Sequence, residues 1–127
     1  MTIFKSLSLF ALTGFASLLL SLTGYSQSSK PITCKLTSPE MQQRKATVIA
    51  SLKKKIILKK ELPDGFSYQF DGADTTIDEL TSFIKTERLC CNFFDFSLSI
   101  KGDGTGALLT ITGPKGAKDF INTELEL

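Results

Sequence analysis

Residues 94–112 read FDFSLSIKGDGTGALLTIT, and this stretch decides the fold. Every second residue from Phe94 to Ile100 is apolar and the residues between them are polar, which is the period of a half-buried strand. A glycine-rich turn at residues 101–106 separates this strand from a second one at residues 107–112. The stretch therefore predicts a β-hairpin with one apolar face, which the rest of the chain has to cover.

A second hairpin is predicted upstream of the first. Residues 56–58 begin a strand, and residues 66–70 (FSYQF) form its partner, with the three aromatic side chains on one face. The connection contains Pro63-Asp64-Gly65, and its glycine is expected to take a positive φ at no steric cost.

Three helices are predicted beside these hairpins. The first is capped by Thr37 or Ser38 and runs to about Lys54. The second is capped by Thr75 or Thr76, and the third follows the Gly-Pro pair at residue 113. The second helix is expected to end near the two adjacent cysteines. The apolar residues of the three helices that are expected to be buried are Met41, Val48, Ile49, Leu52, Ile77, Leu80, Phe83, Ile84, Ala117, Phe120, Ile121 and Leu125.

A further strand is predicted before the first helix. Residues 32–36 alternate strictly and place Cys34 on their apolar face. The complete order is then β-α-β-β-α-β-β-α. This order predicts an α+β two-layer sandwich, in which two to three helices cover one face of a mainly antiparallel sheet of four to five strands.

The beginning of the chain has the pattern of an export signal. Lys5 precedes an apolar run over residues 7–22, and small residues stand at positions 24 and 26. We therefore expect residues 1–26 to be a cleaved signal peptide, 27–31 a flexible leader and 32–127 a single domain. The apolar run is shorter than a membrane span needs, and no later run is long enough. The expected location is periplasmic or secreted, with no stable membrane span after cleavage.

Composition excludes several kinds of chemistry. The chain of 127 residues has no histidine, which removes Ser-His-Asp and Cys-His catalysis and HExxH-type zinc sites. No spacing of Asp or Glu marks an acid/base pair, so an enzyme is disfavoured. The net charge of +2 gives no general attraction to nucleic acid.

The segment ERLCCNF at residues 87–93 is the informative motif. Thiolates select soft ions, so Cys34, Cys90 and Cys91 are candidate ligands for Cu(I), zinc, mercury or arsenic(III). Adjacent helical residues lie about 100° apart, and the two neighbouring cysteines face one ion only if the helix unwinds there. Asn92 tolerates the left-handed conformation and makes such unwinding plausible.

Other roles for these residues stay open at this stage. Cys34 is a candidate partner for either adjacent cysteine in a disulfide, which leaves one free thiol, or all three cysteines pack as small apolar residues. Glu87 and Arg88 are candidates for an ion pair with a charge on the first helix, such as Arg44, which would hold the two helices together.

The motif resembles a family of small uncharacterised bacterial proteins with the pattern E-R-x-C-C-P-F followed by G-P-x-G-A. Here Glu87, Arg88, Cys90, Cys91 and Phe93 are followed by GPKGA at residues 113–117, and Asn92 stands in place of the proline. The resemblance covers roughly residues 34–123. It implies a metal association for the two adjacent cysteines, because members of that family occur beside mercury- or other metal-resistance functions.

Two hypotheses follow for the function. The first is an exported protein that binds a soft metal or metalloid ion through Cys34, Cys90 and Cys91, for sequestration or handover. The second is a structural or interaction domain with an unknown protein partner, in which the cysteines form a disulfide or pack in the core.

Overall fold

The structure is a computed structural model that describes residues 31–32 and 38–127. It confirms the predicted α+β class, with the order α-β-β-α-β-β-α in this part of the chain. The predicted signal peptide over residues 1–26, Cys34 and all but the first residue of the predicted strand over 32–36 fall on residues that the structure does not describe. The elements are α1 (Pro39–Lys55), β1 (Leu58–Leu62), β2 (Gly65–Phe70), α2 (Asp74–Cys90), β3 (Asp95–Ile100), β4 (Ala107–Thr112) and α3 (Ala117–Phe120), which continues as a π-helical turn over Ile121–Leu125.

The four strands form one antiparallel sheet in the order β1-β2-β4-β3. Strands β1 and β2 form the first hairpin, and β3 and β4 form the second. Strand β2 also pairs with β4, which joins the two hairpins. Helix α2 connects β2 to the edge strand β3 and therefore passes over the sheet. Its last turn is thus brought close to the first residues of the second hairpin.

One face of the sheet is the floor of the core. Tyr68 lies opposite Leu109, and Phe66 lies opposite Ile111, and both pairs are buried. The side chains that alternate with them are half-buried or exposed, including Leu108 at 43%. The hydrophobic alternation of the sequence therefore separates a covered face from a face in solvent.

Helices α1 and α2 pack against each other above the core. Leu52 of α1 and Leu80 and Phe83 of α2 are fully buried, as their spacing predicts. Helix α2 begins at Asp74, and its N-cap is Ala73, two to three residues before the predicted cap at Thr75 or Thr76. None of the described helices is long and apolar enough to cross a membrane.

Gly65 serves the fold in a way that differs from the predicted one. It is not among the described glycines with positive φ, so the turn does not need its conformational freedom. A Cβ atom at this position would instead lie 1.9 Å from the carbonyl oxygen of Ile111 on β4. The close approach of two paired strands therefore requires glycine here.

We predict that Gly65→Ala lowers the free energy of unfolding by about 1–3 kcal/mol, because the β2 and β4 backbones must separate. Gly102→Ala is the matched control, since a Cβ atom there meets nothing within 4 Å. Urea unfolding followed by circular dichroism measures both. Equal stability of the two variants would show that the strands yield without cost.

Candidate metal and thiol site at the end of α2

The buried stripe of α2 carries polar chemistry in its last turns. Leu80, Phe83, Glu87 and Cys90 follow one another at intervals of three or four residues, and all four are buried. Glu87 therefore occupies a position that the helical period reserves for an apolar residue. Arg88, one position further, is exposed at the helix end, where a cation suits the negative end of the helix dipole.

The helix ends between the two adjacent cysteines. Cys90 is its last residue, and Cys91 leaves the helix with φ −118° and ψ 64°. Both side chains are fully buried. The unwinding occurs at Cys91 itself, and Asn92 is exposed without a left-handed conformation.

Helix α1 contributes a lysine to the same place. The Lys45 ammonium lies 3.2 Å from the Oε2 atom of Glu87 and 3.8 Å from the sulfur of Cys90. An ion pair between the two helices was expected with Arg44, which is instead exposed and donates a hydrogen bond of 2.9 Å to Ser82 Oγ. One residue along α1 is a rotation of about 100°, which turns Arg44 outward and Lys45 inward.

The carboxylate of Glu87 is the centre of the cluster. Its side chain is 0% exposed, and its Oε2 atom also accepts a hydrogen bond of 3.4 Å from the Cys91 thiol. Its Oε1 atom is buried and has no hydrogen-bond partner in the described part of the chain. Burial raises the pKa of Glu87, while the Lys45 ammonium acts in the opposite direction.

The two cysteines differ in redox state. Cys90 is disulfide-bonded, whereas Cys91 is a buried free thiol. Burial, and next the negative charge of Glu87, raise the pKa of Cys91 to about 12. Cys91 is therefore a protonated thiol at neutral pH, which agrees with its role as a donor to Glu87.

Within the described residues, Glu87, Cys90 and Cys91 form a set of potential metal ligands. One carboxylate oxygen and the two sulfurs lie within 4.8 Å of one another. Thiolates that share a zinc-like ion at about 2.3 Å lie roughly 4 Å apart, so a small adjustment brings the set together. In the oxidised form Cys90 offers a disulfide sulfur and no thiolate.

Aromatic residues follow the two cysteines directly. The rings of Phe93 and Phe94, directly after the cysteines, lie 4.5 Å apart by their centroids, and both contact Phe120. A Cβ atom on Gly113 would lie 3.3 Å from Phe94 and 2.8 Å from Ala117. The GPKGA segment therefore packs against the cysteine segment, which brings the two motifs together in space.

A groove lies on the solvent side of Lys45. It has a volume of about 550 Å³, between α1 and the turn at the end of the chain. Lys45 belongs both to the groove and to the buried cluster, so its side chain separates the ligand set from solvent. The other groove residues are Gln42, Ala46, Ile49, Ala50, Lys53, Glu124, Leu125 and Glu126.

Sequence reasoning identified Glu87, Cys90 and Cys91 but missed Lys45. A usable signal was present, because Lys45 precedes the half-buried Val48 and Ile49 by three and four residues and Leu52 by seven. A charged residue on the buried side of α1 needs a buried partner of opposite charge, and Glu87 lies on the buried side of α2. Cys34, the third predicted ligand, lies outside the described residues.

Comparison of the chain with models of known protein families, with curated proteins and with solved structures found no match.

We predict that the native, unreduced protein reacts very slowly with iodoacetamide. Because the pKa of Cys91 rises from 9.0 to about 12, its thiolate fraction at pH 8 falls roughly a thousandfold. Mass spectrometry should detect one alkylated cysteine within minutes in guanidinium chloride and almost none without it. Similar alkylation rates in the two conditions would contradict the buried position of this thiol.

We predict that Lys45→Met lowers the free energy of unfolding by about 3–5 kcal/mol at pH 8, since a buried carboxylate loses its cation. The pKa of Glu87 then rises further, and the folded protein takes up a proton as the pH falls. The loss should therefore shrink between pH 8 and pH 5.

The double variant Lys45→Met, Glu87→Gln is the control, because it removes both charges together. It should be more stable than the single variant at pH 8 and show no comparable pH dependence. A single variant that is as stable as the parent at pH 8 would contradict a buried ion pair. Chemical denaturation at the two pH values measures these differences.

Proposed function

We propose that this is an exported protein that captures a soft metal or metalloid ion with the thiolates of Cys90 and Cys91. The observation that carries the proposal is the buried set of Glu87, Cys90 and Cys91 ligand atoms within 4.8 Å, together with the buried Oε1 atom of Glu87 that has no partner among the described residues. Export is supported by the signal-peptide pattern over residues 1–26.

The redox state of Cys90 controls whether the site is available. Cys34 is the remaining cysteine of the three in the chain, and we propose it as the disulfide partner of Cys90. An external dithiol opens the site by thiol–disulfide exchange. It supplies two electrons and two protons, becomes a disulfide itself, and leaves the cysteines as thiols.

The reduced protein offers up to three sulfurs and one carboxylate. This set matches the four-coordinate, sulfur-rich environment of zinc and the thiol preference of Cu(I), mercury and arsenic(III). Each coordinating thiol releases its proton to solvent as the sulfur–metal bond forms. The aromatic residues around the site exclude water, which strengthens the attraction between the ion and its anionic ligands.

A structural role for the cysteines is the second candidate. It is favoured by the disulfide at Cys90, which constrains the end of α2, and by the complete burial of Cys91, which adds to the core. In this case reduction weakens the fold and creates no affinity for an ion.

We predict that the protein reduced with a phosphine binds one Zn²⁺ per chain and that the oxidised protein binds none. Native mass spectrometry with Zn²⁺ alone measures both. The Cys90→Ser, Cys91→Ser variant should lose the bound ion. Leu89→Ser is the matched control at the same helix end, since Leu89 is 67% exposed, and it should bind like the parent.

Binding of Zn²⁺ by the double serine variant at the parent's affinity would contradict the proposed function. Loss of folding on reduction, without any bound ion, would favour the structural role instead.

A further inference from the structure

Lys45 holds the position of a cation within the candidate ligand set. Its ammonium lies 3.2 Å from Glu87 Oε2 and 3.8 Å from Cys90 Sγ, while the Cys91 sulfur lies 3.4 Å from the same carboxylate oxygen. These atoms are the potential ligands of the site. The lysine thus neutralises the charge that an incoming ion would otherwise neutralise.

The surroundings of Lys45 offer its side chain a second position. Glu87 is completely buried, whereas the Lys45 side chain is 13% exposed and lines the α1 groove. The groove has room for a displaced lysine, and Glu124 on its wall is an exposed carboxylate that favours a cation. A flexible four-carbon stem lets the ammonium move while its backbone stays in α1.

From this arrangement we propose that the Lys45 ammonium is a built-in competitor of the metal ion. Binding of the ion at Glu87, Cys90 and Cys91 displaces it into the α1 groove. The inference rests on the proposed function and adds a mechanism of regulation to the same site. An ion and an ammonium cannot share ligands a few ångströms apart without strong repulsion in a buried environment.

The competition has a consequence for selectivity. An ion that forms strong bonds to sulfur gains more from the two cysteines than the ammonium does, whereas an oxygen-preferring ion such as Mg²⁺ gains little. Lys45 therefore keeps hard cations out of the site and admits thiol-binding ions. It also keeps Glu87 paired while no ion is present, which maintains the packing of α1 on α2.

The first test compares the Zn²⁺ affinity of the reduced parent protein with that of Lys45→Met. Removal of the competing charge should tighten binding at least about tenfold. Lys53→Met is the control, because Lys53 lines the same groove but pairs with Glu126 at 3.2 Å on the surface. It removes the same charge and should leave the affinity within about twofold of the parent.

The second test needs no variant and decides the question if Lys45→Met does not fold. Acetylation of lysines by a water-soluble ester, mapped by mass spectrometry, should modify Lys45 several-fold faster in the Zn²⁺-loaded protein than in the reduced, metal-free protein. Lys53, which is already 49% exposed, should react equally in both.

The possible failures of the two proposals are distinguishable. If the reduced parent and Lys45→Met both fail to bind Zn²⁺, the proposed function fails, and this inference fails with it. If both bind with equal affinity, or if acetylation of Lys45 does not change on loading, the ion enters without displacing the lysine, and only the competition is wrong.

Discussion

The ion pair between Lys45 and Glu87 is the interaction on which the rest of the site depends. It joins α1 to α2 inside the core, where each isolated charge would cost several kcal/mol. Such a pair is weak evidence for stability, because two apolar residues of similar volume often serve a core equally well. The pair lies beside two cysteines, and it keeps a buried carboxylate next to their sulfur atoms.

In the oxidised protein, the charges and the protonation states of Glu87 and the two cysteines agree with one another. Cys91 remains a thiol because a negative carboxylate and an apolar environment both oppose its ionisation. Glu87 uses one oxygen for Lys45 and for the Cys91 thiol, and its other oxygen has no partner among the described residues. Because Cys90 is disulfide-bonded, it has no thiolate form in this state. Under the proposed function, reduction of the disulfide comes first, because Cys90 cannot act as a thiolate ligand before it is reduced.

The strands of this fold were predictable, and their contacts were only partly so. Alternation over residues 94–112 has the period of a strand, so the hairpin follows directly from it. Its apolar face is only partly covered on β3, where Phe96 and Leu98 are half-buried and Ile100 is exposed. The role of Gly65 did not follow, because its closest neighbour is the backbone of Ile111, 46 positions further along the chain. Local patterns report the conformation of a segment, whereas this contact depends on which strands become neighbours.

The residues of the candidate site were likewise predictable only in part. The adjacent cysteines marked it, and the end of α2 at Cys90 agrees with the predicted end of the helix near these residues. The choice between Arg44 and Lys45 depended on the rotation of α1 about its axis, and that rotation is determined by packing against α2. The redox state of the cysteines depends on distances in space that the order of residues along the chain does not contain.

The central claim is that these sulfurs form an ion-binding site once Cys90 is reduced. X-ray absorption at the zinc edge of the reduced, Zn²⁺-loaded protein tests it most directly, since zinc–sulfur and zinc–oxygen distances differ by about 0.1–0.3 Å. The account predicts a first shell with at least two sulfurs at about 2.3 Å and a lighter ligand at about 2.0–2.2 Å. A shell made only of oxygen or nitrogen would contradict it.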